Sequence, residues 1–265
     1  MVWSAVLSFH SWDGLGKQKF IGLQNYQMIL RDSVFITGFK NTFFYWVFGL
    51  ALTLVLSMGL ALLLNNRSLK GRSVFKSLTF LPYVCASVAM GLIFNMLFDY
   101  NAGLINECIK TLGGAPVKWL TSTEISCIPP LVLYVFRSVP WYTNIIYSAL
   151  LNIPAELYEA ATVDGAGPVV RFFQILVFCM LTLTVSAWQI FTEPYLMPGP
   201  ASSNISISQY LYNSAFSMFK MGYASAIGYI LTMILLVFSL IQFRLMKRAG
   251  LCEQFVAGGG IAANA

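Results

Sequence analysis

Residues 43–64 read FFYWVFGLALTLVLSMGLALLL, and this stretch of 22 residues contains no charged side chain. An α-helix needs about 20 apolar residues to cross the ~30 Å hydrocarbon core of a bilayer, so the stretch predicts a transmembrane helix. The composition agrees, because 58% of the chain is hydrophobic and 10% is charged, whereas soluble domains carry about 25% charged residues. The chain is therefore expected to be an integral membrane protein.

Four further stretches have the length of a membrane span. Residues 77–98, 172–191 and 221–243 are uncharged, and residues 125–151 carry one charge, at Arg137. All of these stretches are too long and too continuous for barrel strands, which alternate over about ten residues. Together with the first stretch they predict an all-α membrane protein with five full transmembrane helices.

The two ends of the chain differ from this pattern. The start, MVWSAVLSFHSW, is apolar over only about nine residues and is predicted to be the last part of a truncated first helix; a frayed terminus is the alternative. Residues 20–32, FIGLQNYQMILRD, have apolar side chains at helical spacing and predict a short amphipathic helix along the membrane surface. Residues 1–248 are thus expected to form one transmembrane domain, and the small, Gly-rich residues 249–265 a disordered tail.

The orientation in the membrane follows from a short basic loop. Four basic residues lie close together after the first full span: Arg67, Lys70, Arg72 and Lys76. Loops rich in lysine and arginine stay in the cytoplasm, so this loop is predicted to be cytoplasmic. Alternation of the spans then places the loop at 153–170 in the cytoplasm and the segments 99–124 and 192–220 outside.

The chain lacks the residue patterns of catalytic and metal sites. Its five cysteines form no C-x-x-C pair and His10 is its single histidine, so neither a zinc site nor a disulfide framework is predicted. The stretch GRSVFKS, residues 71–77, lacks the glycine before the lysine of a phosphate-binding loop. We therefore expect no catalytic residue, no metal, no cofactor and no nucleic-acid partner, and the chain is not expected to be an enzyme.

The cytoplasmic loop at 153–170 contains an acidic stretch, ELYEAATVDGAGP, at residues 156–168. Glu156 and Glu159 are three residues apart and share one helix face, whereas alanines and glycines leave the rest of that helix bare. A bare helix with an acidic edge suits docking into the groove of a partner protein. The alternative is a solvated loop whose acids keep it out of the bilayer, and the residues alone favour neither interpretation.

Residues 159–175, EAATVDGAGPVVRFFQI, resemble the EAA loop of binding-protein-dependent ABC importer permeases. Six blocks, in the same order, are similar to carbohydrate permeases of the maltose and glycerol-phosphate type, among them FIGLQNYQMIL and IPAELYEAATVDGA. In that family the loop is a coupling helix that fits a cleft on the cytoplasmic ATPase. The resemblance implies a coupling role for Glu156, Glu159, Ala160, Ala161, Asp164, Gly165 and Ala166.

The resemblance also implies the rest of the assembly. We expect an ABC importer permease bundle in the bacterial cytoplasmic (inner) membrane, in contact with membrane lipid. Its expected partners are a second permease subunit, a cytoplasmic ABC ATPase dimer, an extracytoplasmic solute-binding protein and a carbohydrate substrate. ATP hydrolysis would take place in the ATPase subunits. The alternative is a secondary transporter driven by an ion gradient, but the acids within the membrane and the inverted repeats typical of that class are not visible.

The coupling region departs from the family pattern in one respect. Gly165 is predicted to end the coupling helix, and Gly167 and Pro168 to break the chain again before the next span begins near Phe172. After Ile175 the family continues through a Leu-Pro and a further apolar turn or two, so roughly two helical turns, about eight residues, are absent here. An inactive, truncated permease copy is therefore a second alternative.

The candidate substrate path is centred on Arg137. A charge near the middle of a span costs at least about 2.5 kcal/mol, so Arg137 should face the bundle interior or water. Aromatic faces stack on sugar rings and amides bind hydroxyls, so the residues after Arg137 could form the wall of a sugar path; alternatively, Arg137 pairs with a partner subunit or a carbonyl. The candidates are Arg137, Trp141, Tyr142 and Asn144, with Gln189, Tyr223, Glu193, Tyr195 and Ser225 on later segments.

Overall fold

The computed structural model of the chain describes residues 2–66, 71–151 and 167–248. The first elements are helix α1 (Val2–Ser8), an antiparallel pair of short strands, β1 (His10–Ser11) and β2 (Lys19–Phe20), and helix α2 (Gln24–Arg31). Helix α2 confirms the predicted amphipathic helix, whereas the strand pair was not predicted. The predicted disordered tail at 249–265 lies outside the described residues.

Further helices, of 5 to 33 residues, make up most of the rest of the described chain. They are α3 (Ser33–Asn65), α4 (Arg72–Val84), α5 (Ser87–Leu97), α6 (Leu104–Thr111), α7 (Ile128–Leu151), α8 (Gly167–Trp188), α9 (Thr192–Leu196), α10 (Ile207–Tyr212) and α11 (Met221–Arg248). A 3-10 turn (Pro200–Ser202) precedes α10, and a π-helical turn (Asn213–Ser217) follows it. Each predicted span corresponds to a helix or to a pair of helices.

Three segments in the described part of the chain are long and apolar enough to cross a membrane: Ser33–Asn65, Ile175–Leu196 and Met221–Leu245. The pair α4 and α5 could supply a fourth span. Helix α7 has 24 residues, about 36 Å at 1.5 Å per residue, but its prolines, its tyrosines and Arg137 make it less apolar than the other three.

The prediction of one continuous span at 77–98 was wrong. The chain bends by 92° between α4 and α5, where Cys85 has an extended backbone. Pro82 lies in the last turn of α4 and removes one helical hydrogen bond there, which weakens the helix just before the bend. Gly91 of α5 then packs closely on α9, since a Cβ at this position would stand 2.9 Å from the Cβ of Leu196.

The predicted break at Gly167 and Pro168 was also wrong. Helix α8 begins at Gly167, so Pro168 lies in its first turn. Proline is well tolerated in the first turn, because the backbone N–H groups there have no partner within the helix. The helix ends at Trp188, three residues before the predicted end of the span.

The segment 192–212 folds back into the bundle instead of forming a simple outer loop. Asn41 of α3 donates from Nδ2 to the carbonyl oxygens of Ser203, at 2.7 Å, and Ile205, at 2.9 Å. The hydroxyl of Tyr45, also on α3, donates to the carbonyl oxygen of Asn204 at 2.9 Å. These bonds satisfy backbone groups that would otherwise be costly in an apolar interior. The segment thus becomes part of the core, next to α3, α5 and α7.

Candidate functional site

Arg137 and Glu193 form an ion pair inside the bundle. Nη1 of Arg137, on α7, lies 3.3 Å from Oε1 of Glu193, on α9, and their side chains are 23% and 9% exposed. Of the alternatives left open for Arg137, the structure shows pairing, and the partner lies in the same chain. The Nε of Arg137 is buried and makes no hydrogen bond to a described residue.

Each member of the ion pair is followed along its helix by a stacked aromatic residue. Trp141 follows Arg137 by one helical turn, is 42% exposed, and stacks on Tyr83 of α4 with ring centroids 4.9 Å apart. Tyr195 follows Glu193 on α9 and stacks on Phe191 at 5.1 Å. Trp141 shares a helix face with Arg137, whereas Tyr195, two residues from Glu193, does not share a face with it.

The remaining path candidates are dispersed. Tyr142 is buried in a core cluster with Ile146 and Leu183, and the side-chain amide of Asn144 donates to the carbonyl oxygen of Pro140 at 3.1 Å. Gln189 is exposed just after the end of α8. Among the candidates in the described part of the chain, the structure joins Arg137 and Glu193 directly and places Trp141 one turn from Arg137 on the same helix.

Sequence reasoning did not single out Tyr134, which lies one helical turn before Arg137 on α7 and is 4% exposed. A tyrosine in an apolar helix has no sequence signal that separates it from an ordinary core residue. The usable signal was Glu193 itself, the single acidic residue between Asp164 and Glu253.

Tyr223, another path candidate, belongs to a separate cluster around Asp32. Its hydroxyl donates to Oδ2 of Asp32 at 2.6 Å, and the hydroxyl of Tyr210 donates to the same oxygen. Burial favours the protonated carboxyl, but the two hydroxyls and the backbone N–H groups of Val34 and Phe35 outweigh it and hold the pKa of Asp32 below its usual range. This cluster connects three elements and borders a cleft of about 560 Å³.

The predicted coupling residues, Glu156, Glu159, Ala160, Ala161, Asp164, Gly165 and Ala166, lie outside the described residues. Among the residues that are described, no cluster of three His, Cys, Asp or Glu side chains could hold a metal ion.

Comparison with known proteins identifies relatives over most of the chain. The family described as "Binding-protein-dependent transport system inner membrane component" matches residues 53–249. The probable ABC transporter permease protein YurN of Bacillus subtilis is 31% identical, over 91% of this chain and 87% of its own length. The arabinooligosaccharides transport system permease protein AraP of the same organism is 31% identical, over 87% of this chain and 77% of its own length.

The fold also matches solved structures. The crystal structure of a bacterial ABC transporter that imports the acidic polysaccharide alginate aligns with a TM-score of 0.74 and 22% sequence identity. The alignment covers 93% of this chain and 88% of that one. At this level of identity the similarity shows a shared fold.

Proposed function

The chain belongs to the binding-protein-dependent transport system inner membrane components, and from this premise we infer that it forms half of the path by which a carbohydrate enters a bacterial cell. It is a multi-pass permease subunit of an ABC importer in the cytoplasmic membrane. Transport, and not catalysis, is its activity.

The observation that carries the path is the ion pair of Arg137 and Glu193, with the exposed ring of Trp141 one turn beyond Arg137 on α7. Two charges inside an apolar bundle are costly, and a structural pair could be replaced by packed apolar side chains at little cost or even with a gain in stability. An exposed aromatic face next to a partly exposed guanidinium suits a solute that carries hydroxyl groups on an apolar ring. AraP is named for arabinooligosaccharides, which supports the carbohydrate class.

We further propose the partners of this permease. Half of a translocation path needs a second permease subunit to complete it. The energy for transport would come from a cytoplasmic ATPase dimer, because the sequence has no phosphate-binding loop. An extracytoplasmic solute-binding protein would deliver the sugar. The coupling contact is assigned to Glu156, Glu159, Ala160, Ala161, Asp164, Gly165 and Ala166, with Glu159 at the acidic edge that meets the ATPase.

Uptake by the reconstituted complex tests this function. Vesicles that contain both permease subunits and the ATPase should take up labelled sugar only when ATP and the binding protein are supplied. Glu159→Lys reverses the charge of the docking edge and should lower uptake by roughly tenfold or more, within the range of coupling free energies between sites. Glu124→Lys is the control, since Glu124 is exposed and lies in a segment predicted to be outside.

Two results would contradict the proposal. Uptake that follows an ion gradient without ATP would assign the protein to the secondary transporters. Uptake by Glu159→Lys at the rate of the unsubstituted protein would remove Glu159 from the coupling contact, provided that equal amounts of both proteins reach the membrane.

A further inference from the structure

Helix α9 is too short to hold Glu193 in place by itself. It has five residues, Thr192–Leu196, little more than one turn. Isolated helices shorter than about 12 residues are marginal, because the first turn fixes several residues for a single hydrogen bond. The position of Glu193, and with it the ion pair to Arg137, therefore depends on the elements that pack around α9.

Helix α5, the second half of the bent pair, binds the end of α9. Nδ2 of Asn95 donates to the carbonyl oxygen of Leu196 at 3.0 Å. The last carbonyl groups of a helix have no partner within it, so this bond supplies one that α9 lacks. Leu196 is three residues after Glu193 and shares its helix face. The bond thus holds α9 one turn from the carboxylate.

Gly91, one turn before Asn95, allows α5 and α9 to come close. A Cβ at residue 91 would stand 2.9 Å from the Cβ of Leu196, so that one of the two would have to shift. Residues four apart on a helix share a face, so Gly91 and Asn95 form one contact surface for Leu196. A side chain at residue 91 would therefore displace α9 from α5.

Helix α5 also packs next to the other member of the ion pair. Four side chains from α5, α7 and the residue after α9 belong to one buried cluster: Phe94, Phe98, Leu133 and Met197. Leu133 lies one turn before Arg137 on α7. The backbone N–H of Met197 donates to the carbonyl oxygen of Glu193 at 3.2 Å. The cluster therefore contacts both helices within one turn of each charge.

A second amide binds the end of α9, but from the same segment of the chain. Nδ2 of Asn204 donates to the carbonyl oxygen of Met197 at 2.6 Å. Asn204 is seven residues from Met197 and belongs to the folded-back segment itself, whereas Asn95 is 101 residues from Leu196. Asn95 thus fixes α9 to a separate helix of the bundle, which Asn204 does not.

We propose that Asn95 is a positioning residue for the solute path: its bond to Leu196, with the close contact at Gly91, holds α9 so that Glu193 meets Arg137. The proposal rests on the proposed function, because it takes the ion pair to line the path. It gives α5 a part in solute binding without any contact between Asn95 and the solute.

A mutant cycle in thermal unfolding tests the positioning without any sugar. Asn95→Leu removes the donor at nearly constant size. It should lower the melting temperature of the full chain in detergent at least about twice as much as that of a chain with Arg137→Leu and Glu193→Leu, because only the first chain has an ion pair to weaken. Equal shifts would overturn the proposal, since Asn95 would then stabilise α9 without positioning Glu193.

Transport kinetics test the consequence for the solute. The assembled complex in vesicles is offered labelled arabinotriose, lactose and diacetylchitobiose, and the transported sugar is the probe. Asn95→Leu should raise its KM by roughly tenfold, equivalent to about 1.4 kcal/mol, because a loosened site has to be ordered when the sugar binds. The kcat should change by less than about twofold, since a loss of binding alone acts on KM. Asn95→Gln keeps the amide donor and should restore most of the affinity.

Gln242→Leu is the matched control for both tests. Nε2 of Gln242, on α11, donates to Oγ1 of Thr184, on α8, at 2.8 Å, so this amide also joins two helices. Its loss should lower the melting temperature equally with and without the ion pair, and should leave KM unchanged. A rise in KM in both Asn95→Leu and Gln242→Leu would mean general loosening of the bundle and would overturn the proposal, as would an unchanged KM in Asn95→Leu.

Gly91→Ala decides the question if Asn95→Leu does not fold. It displaces α9 by contact with Leu196 and removes no hydrogen bond, so KM should rise, and Leu196→Ala in the same chain should lower it again. An unchanged KM in Gly91→Ala would contradict the positioning role. Transport of none of the three sugars would count against the carbohydrate function, whereas the unfolding cycle would still decide the role of Asn95.

Discussion

Arg137 and Glu193 are costly to place in an apolar interior unless they are together. Removal of one partner from a buried pair leaves an unpaired charge, which costs about 3–5 kcal/mol, whereas replacement of both by apolar residues is often neutral. Stability alone therefore does not require the pair, and we propose that it serves the solute path. Stability and transport can be measured separately to distinguish these roles.

A double-mutant cycle makes this distinction. Glu193→Leu alone should lower the free energy of unfolding by about 3–5 kcal/mol, and Arg137→Leu together with Glu193→Leu should restore most of it. Thermal unfolding in detergent measures both. The control is Glu107→Leu, because the pair of Glu107 and Lys110 is exposed on α6 and should contribute at most about 1 kcal/mol. Additive losses, or full transport by the double variant, would contradict the assigned role.

The interior position of Arg137 could be predicted from the sequence, since the bilayer penalty leaves a charge few alternatives. Its partner could not be predicted in the same way. Glu193 is 56 residues further along the chain and lies in a segment that alternation of the spans places outside the membrane. The two residues meet because this segment folds back between α3 and α7, and the sequence gives no signal for that fold.

At the scale of elements, Asp32 joins helices that are far apart in sequence. It caps α3 through the backbone N–H of Val34, at 2.8 Å, and accepts the hydroxyl hydrogens of Tyr210, on α10, and Tyr223, on α11. Because these bonds favour the ionised carboxylate, the pKa is lower in the folded protein than in the unfolded chain. The stabilisation is therefore present above the unfolded pKa, near 3.9, and is lost as pH falls through the folded value.

Asp32→Asn should reveal this contribution. At neutral pH the variant should lose about 1 kcal/mol of stability, a value that allows for screening by solvent because Asp32 is only partly buried. The difference between the two proteins should shrink below about pH 4, where the unsubstituted carboxyl also becomes protonated. Glu124→Gln serves as control, since Glu124 is exposed and its side chain makes no hydrogen bond or ion pair with a described residue. A loss that does not change with pH would contradict the assignment.

Helix positions were predictable to different degrees. Hydrophobic length correctly placed α3, α7, α8 and α11, because a long apolar run has no other stable arrangement in a bilayer. Length alone cannot reveal a bend, so the 92° turn between α4 and α5 had only Pro82 as its signal. The folded-back segment at 192–212 is short and polar enough to resemble a loop, and its burial depends on hydrogen bonds to distant helices.

At the scale of the whole molecule, α8 has to cross the membrane and also follow the predicted coupling loop. It contains 22 residues and is about 33 Å long, little more than the ~30 Å core. The segment that could cross the membrane runs from Ile175 to Leu196, so the eight residues of α8 before it, about 12 Å, connect it to the predicted coupling loop. The turns predicted to be absent after Ile175 would lengthen this short connection.

Insertion of Leu-Pro and a short apolar turn after Leu176 should therefore increase sugar uptake. The expected change is a few-fold, since the coupling between ATPase and permease is typically about 1–3 kcal/mol. Uptake by the original and lengthened chains, with identical partners, is the measurement. An insertion of the same length built from Gly and Ser is the control, because a flexible segment transmits motion poorly. Equal uptake by the original and lengthened chains would show that the shorter helix suffices.

The bonds between α3 and the folded-back segment also set the order of biogenesis. Asn41 and Tyr45 find their partners about 160 residues later in the chain. At about 5–20 residues per second, ribosomes need roughly 8–30 s to synthesise that distance. During this time Asn41 and Tyr45 lack their native partners, so completion of this part of the core has to await synthesis of the last third of the chain.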